Sequence, residues 1–244
     1  MKVNVHAGHN PDGKVASGAD GFIKESTQAR KVVDKIIEKL QAAGHTVYNC
    51  TCNTGSSQSD VLHKIVEKCN AHDVDLDVSI HFNSGASDRK GNGKTTGTEV
   101  LIQSESSKAK EAAERICKSI EKMGFTNRGV KVRKDLYILN HTKAPALLVE
   151  CCFVDDKDDA ELYRAEKMAQ AIVTGIMGGT DDAVVDYNVK VTAKGGLNCR
   201  IGPGIKNKVV CSFEMGTVLT ITKERDGWGK CSKGWIKLEY TKKI

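Results

Sequence analysis

The sequence predicts an α/β fold, a mainly parallel sheet flanked by helices on both faces, followed by a small all-β barrel. Three observations carry this. Over residues 1–178, β-like runs alternate with segments whose apolar residues recur at helical spacing, the pattern of a mainly parallel sheet with helices on it. From Val184 onward the periodicity changes to short alternating stretches separated by glycine-rich turns. Between the two, Met177-Gly-Gly-Thr-Asp-Asp-Ala183 is small and acidic, the composition of a linker. The expected division is 1–178, a linker at 179–183, and 184–244. At roughly 100–200 residues per domain, 244 residues suffice for one large domain and a small one.

The elements follow in order. Lys2–Val5 reads as a short strand ending in His6-Ala-Gly-His9. Ser26–Ala43 places Ala29, Val32, Val33, Ile36, Ile37 and Leu40 on one helical face, with Ser26 or Thr27 to cap it and Gly44 to stop it. His45–Cys50 is the next strand, and Asp60–Ala71 a helix carrying Val61, Leu62, Ile65, Val66 and Cys69. Val78–His81 and Thr98–Gln103 are strands, Ser107–Met123 a helix, Ala146–Val149 a short apolar strand reaching Glu150, and Glu161–Ile176 the closing helix. The last part offers strands at Tyr187–Thr192, Val209–Phe213, Val218–Lys223, Trp228–Cys231 and Trp235–Lys237.

Composition narrows the class. Hydrophobic residues make up 39% and charged residues 28%, which excludes a collagen-like or wholly disordered chain. No run of about 18 apolar residues crosses a membrane, and the N-terminal residues lack the apolar core of a signal peptide. Nine scattered cysteines without a C-x2-C pair read as reduced, packed thiols. Charge is uneven. Residues 1–183 hold 25 basic and 26 acidic side chains, whereas residues 184–244 hold 12 and 5. The small part therefore expects an anionic partner.

Four polar residues stand at predicted element ends in the large part. His9 follows the first strand, Glu25 precedes the first helix, and His81 and Glu150 end the Val78 and Ala146 strands. In such sheets the C-terminal strand ends gather in one crevice where ligands bind. Two imidazoles and a carboxylate, with a position left for water, make a catalytic zinc set. A second carboxylate can then carry the proton from water to the leaving group. Glu150 has the strongest claim, because a lone carboxylate within Ala-Leu-Leu-Val-Glu-Cys-Cys-Phe-Val is costly without a purpose. His6 competes with His9 as a ligand, and each histidine also has an ordinary hydrogen-bonded reading.

Ala7-Gly-His9, Glu25, Ser79-Ile-His81-Phe-Asn83 and Pro145-Ala-Leu-Leu-Val-Glu150-Cys-Cys-Phe153 match, in order and spacing, a known pattern. Over residues 1–178 the chain resembles the zinc-dependent N-acetylmuramoyl-L-alanine amidases of the amidase-3 type. The resemblance implies one Zn2+ per chain held by His9, Glu25 and His81, with Glu150 as general base and acid. Asn83 falls at the family's H-x-N position, which implies that it shapes the substrate site. The resemblance assigns nothing to His141, which precedes the Glu150 strand and has two readings, a substrate contact and a surface loop residue. The chain departs from the family where His6-Ala-Gly-His9 replaces Asp-Pro-Gly-His and where Asp155 replaces a common Asn.

Residues 184–244 resemble a bacterial SH3-type domain through Leu197-Asn-Cys-Arg200-Ile-Gly-Pro203, Gly216–Ile221, Gly227-Trp228-Gly-Lys and Gly234-Trp235-Ile. This makes the barrel SH3-like and implies a wall-binding surface at Trp228, Trp235 and Arg200. The implied partners are bacterial peptidoglycan and, through residues 184–244, an anionic wall polymer, with no nucleic-acid or membrane partner. The implied setting is synthesis in the cytoplasm and action on the wall after release, as for a phage endolysin passing a holin-type membrane lesion. The competing classes are a zinc peptidase acting on wall peptides and a non-catalytic wall-binding protein.

Overall fold

The computed structural model describes residues 1–178, 183–205, 207–225 and 227–244. The linker expected at 179–183 lies, apart from Ala183, outside the described residues. The chain forms two compact units, Met1–Gly178 and Gly179–Ile244.

The first unit runs β1 (Lys2–Ala7), α1 (Glu25–Ala42), β2 (Thr46–Asn49), α2 (Gln58–Asn70), β3 (Leu76–Asn83), β4 (Thr98–Ile102), α3 (Lys110–Glu121), β5 (Asn127–Val132), α4 (Tyr137–His141), β6 (Ala146–Phe153), α5 (Lys157–Leu162) and α6 (Ala165–Ile176). Its six strands are ordered β2-β1-β3-β6-β4-β5. All neighbours are parallel except β4 and β6, which are antiparallel. Helices cover both faces. The apolar stripes of α1, α3 and α6 (Val32, Ile36, Ile116, Ile120, Met168, Ile172) pack with Val3, Val5, Val78, Ile80 and Val149 in the main core. Val61, Ile65 and Cys69 of α2 and Ile138 of α4 form a separate core.

Several boundaries differ from the sequence expectation. Neither Ser26 nor Thr27 caps α1. The helix begins one residue earlier, at Glu25, whose N–H donates to Ala19 O at 3.1 Å, while Ser26 is buried inside the first turn. Gly44 does end it, at φ +83°. Helix α2 starts before Asp60 because Ser57 accepts a hydrogen bond from Asp60 N at 3.1 Å. The expected helix 161–176 is broken at Tyr163, which is extended so that its ring packs edge-on to Phe82 at 5.1 Å. Glu150 and His81 do not end their strands, since β6 continues to Phe153 and β3 to Asn83.

The second unit is antiparallel throughout. Its strands are β7 (Ala183–Val191), β8 (Leu197–Arg200), β9 (Val209–Phe213), β10 (Val218–Arg225), β11 (Trp228–Cys231), β12 (Gly234–Lys237) and β13 (Thr241–Lys243), ordered β13-β7-β10-β11-β12-β8-β9. Val189, Val191, Leu197, Leu219, Ile221 and Ile236 fill it, with Cys199 and Cys231 among them as small hydrophobes. All nine cysteines are free thiols, eight of them buried.

Candidate active site

Three side chains from three elements meet beyond the end of β1. His9 sits two residues past the strand at φ +64°, a left-handed backbone that costs a non-glycine residue energy unless the surroundings impose it. Arg30 of α1 imposes it. Its guanidinium donates to His9 O at 2.9 Å and also to Cys52 O and Ser26 O, tying the His9 loop to α1 and to the loop after β2. Glu25 is 3% exposed. Its Oε1 lies 3.3 Å from His9 Nε2 and 3.0 Å from His81 Nδ1, and it also accepts from Phe82 N, while Oε2 accepts from Ala19 N.

One donor atom from each of His9, Glu25 and His81 lies within 4.8 Å of the others. Burial would raise the Glu25 carboxyl, but hydrogen bonds and charge from His81 and His9 outweigh it and hold it well below the usual carboxylate range. Two imidazoles on one buried carboxylate oxygen call for positive charge between them. The donor set fits a borderline cation such as zinc.

Glu150 completes the arrangement from the adjacent strand. It is in register with His81 on β3 and with Glu99 on β4. Burial, followed by the charges of Glu25 and Glu99, pushes its carboxyl up to about 8, and its buried Oε2 has no hydrogen-bond partner. Glu99 is itself engaged by Arg128 at 2.8 Å, by Lys131 and by Asn83 Nδ2. His9, His81 and Glu150 line one cavity of about 220 Å³, with Arg133, Tyr137 and a wall of leucines. An unpartnered carboxyl at an accessible cavity beside a cation cradle suits proton transfer.

The other expected residues scatter. His6 is fully buried on β1, 3.5 Å from Ser79 Oγ; burial pushes it down to about 3, and it lies outside the three-residue cluster. Asn83 Nδ2 donates to Glu99 Oε1 at 3.2 Å, and Asn83 is not among the residues that line the cavity. His141 is exposed and stacks on Tyr137 at 3.9 Å; Tyr137 lines the cavity and His141 does not. Asp155 accepts the N–H groups of Gly85, Ala86 and Ser87, a structural role. In the second unit Trp235 is 6% exposed beneath the Arg225 guanidinium, so it is packed and presents no open aromatic face. Trp228 is also largely buried, but with Arg200, Lys237 and Tyr240 it lines a groove.

Gly8, Gly18, Arg30 and Arg133 were not singled out from the sequence. The glycines carry a readable signal, Gly8 being wedged between a strand and a candidate ligand, whereas the arginines act through tertiary contacts. A Cβ on Gly8 would lie 2.0–2.7 Å from the His81 ring, and one on Gly18 2.5 Å from Glu25 Oε2. Gly8→Ala is therefore expected to keep the fold and displace His81. Affinity for added zinc, measured by competitive titration, should fall at least about tenfold, whereas Gly195→Ala, with nothing within 4 Å and no left-handed backbone, should leave it unchanged.

Comparison with known proteins follows this geometry. Residues 3–182 match the Amidase_3 family, described as N-acetylmuramoyl-L-alanine amidase, and residues 193–242 match a bacterial SH3 domain family. The uncharacterised protein CPE1502 of Clostridium perfringens is 37% identical over 78% of this chain and 54% of its own length. The endolysin of Bacillus phage SPP1 is 31% identical over 70% of this chain and 61% of its own. This chain thus spans little more than half the length of these curated relatives. Among solved structures, the catalytic domain of the CD27L endolysin targeting Clostridia Difficile superposes with a TM-score of 0.65 at 29% identity, over 74% of this chain and 98% of that one.

Proposed function

The chain belongs to the Amidase_3 family, and from that premise we propose that it hydrolyses the amide between the lactyl group of N-acetylmuramic acid and the L-alanine of the stem peptide in bacterial peptidoglycan. The observation that carries this reading is the donor cluster of His9, Glu25 and His81, whose two histidines share one cavity of the first unit with Glu150, a carboxyl with an unpartnered Oε2.

His9, Glu25 and His81 would hold one zinc ion. Zinc supplies a Lewis acid for the scissile carbonyl and makes water more acidic. Glu150, in its ionised form, accepts the proton of the attacking water. As the C–N bond breaks, the same carboxyl passes that proton to the departing alanine nitrogen, leaving a lactyl carboxylic acid and a free amine. Burial, which pushes the Glu150 carboxyl up to about 8, suits a group that must take and give a proton in one cycle. Arg30 and the two glycines position the ligands.

To residues 184–244 we assign retention on the wall. An anionic wall polymer suits the basic excess of this unit, and Arg200, Lys237, Tyr240 and Trp228 supply a groove. Likeness to the SPP1 endolysin supports an endolysin setting, and we propose access to the wall through a holin-type lesion as the route that goes with it.

The reading is tested on a soluble muramoyl peptide with the zinc-loaded chain. Release of one primary amine per cleavage, with no new reducing sugar end, is expected. New reducing ends without amine would mean a glycosidase and end the proposal.

A further inference from the structure

The catalytic cavity is lined unevenly. Leu101, Leu136 and Leu148 form an apolar wall, while Arg133 is the only guanidinium among its described lining residues. Leu101 and Leu148 are 4–5% exposed, whereas the Arg133 side chain is 47% exposed, so it enters from the solvent side. Its backbone is fixed just after β5, with Arg133 N donating to Ile102 O at 2.9 Å. Its guanidinium does not pair with Glu150, which keeps an unpartnered oxygen. Instead both ends of the fork are taken by Asp135, Nε to Oδ1 at 2.8 Å and Nη2 to Oδ2 at 2.7 Å.

That pair is between two exposed groups two residues apart, the type of ion pair worth little in water. A planar fork already geared to a carboxylate is ready to exchange it for another. A stem peptide offers the matching sequence: the small methyl of alanine at the scissile amide, then a residue bearing an acidic group. The apolar wall suits the first and the cation the second.

We propose that Arg133 binds the carboxylate of the second stem residue, displacing Asp135, and so makes the enzyme prefer stem peptides with a free acid over amidated ones. This inference rests on the amidase reading. It is tested with the full zinc-loaded chain on two soluble muramoyl tripeptides that differ only in whether the α-carboxyl of the second stem residue is free or amidated. The parent should favour the free acid by about tenfold in kcat/KM. Arg133→Gln should abolish that preference through a higher KM for the acid, and Asp135→Asn, which frees the fork, should enlarge it. Equal effects of Arg133→Gln on both substrates, or a shifted pH profile of kcat with the preference intact, would overturn the proposal and leave Arg133 as an electrostatic neighbour of Glu150. Failure of the parent to cut either tripeptide at the muramoyl–alanine bond is a different result, which overturns the amidase reading.

Discussion

Glu150→Gln is expected to lower wall hydrolysis by about 10²–10⁴-fold, the usual worth of a positioned acid–base group, while zinc content stays at the parent value. The substitution keeps size and removes only the titrating oxygen. It also carries a stability signature in the metal-free protein. The Glu150 pKa rises from 4.5 to about 8 on folding. Below pH 4.5 the carboxyl is protonated in both states and contributes nothing. Between the two values the unfolded chain releases a proton that the folded chain keeps, so the native state loses stability as pH rises, with the full cost reached above about 8. The glutamine variant escapes that cost. Its metal-free Tm should equal the parent's at pH 4 and exceed it by several degrees at pH 8.5, as read by differential scanning calorimetry. A variant that keeps parental turnover removes Glu150 from the mechanism.

Glu25→Ala should abolish activity as well, but by losing the metal. It leaves His9 and His81 facing each other at 4.9 Å between ring centroids, and it strips the N–H groups of Ala19 and Phe82 of their acceptor. Zinc at a thousand times its Kd should add about 4 kcal/mol to the parent, a Tm rise of roughly 10 °C for a unit of this size. Neither Glu25→Ala nor the more conservative His81→Asn should show that rise. Without zinc the sign of pH dependence at Glu25 is the reverse of that at Glu150. Its folded pKa lies below the ordinary value of 4.5, so it stabilises above that value and the contribution is lost as pH falls. A Glu25→Ala protein that still shows a zinc-induced Tm rise would place the metal elsewhere.

The contrast between these two carboxylates shows what was readable in advance. His9, Glu25, His81 and Glu150 stood out because polar residues interrupt apolar runs or follow them directly, and the α/β alternation was enough to bring distant element ends to one crevice. Their pairing was less readable. Glu150 and His81 are register partners inside strands, not residues at strand ends, because Cys151, Cys152 and Phe153 extend β6 into the core. Strand β5, Asn-Arg-Gly-Val-Lys-Val, escaped notice because charges and a glycine dilute its alternation, yet it delivers Arg133 to the cavity. Tyr137 was missed for a similar reason, since α4 is five residues long and too short for a helical period. Arg30 reads as one more charge on an amphipathic helix; only its carbonyl partners reveal that it holds the His9 loop. Trp235 shows the converse error, an aromatic whose surface promise ended in packing under Arg225.

The proposed reaction of this site is cleavage of the muramoyl–alanine amide. Mass spectrometry of the products of purified peptidoglycan, digested by the zinc-loaded chain, tests it most directly. Stem peptides with free N-terminal L-alanine are expected, beside glycan strands that keep intact lactyl groups and full length. Peptides that begin at any later residue, with alanine still attached to the glycan, would contradict it and assign the site to a peptidase.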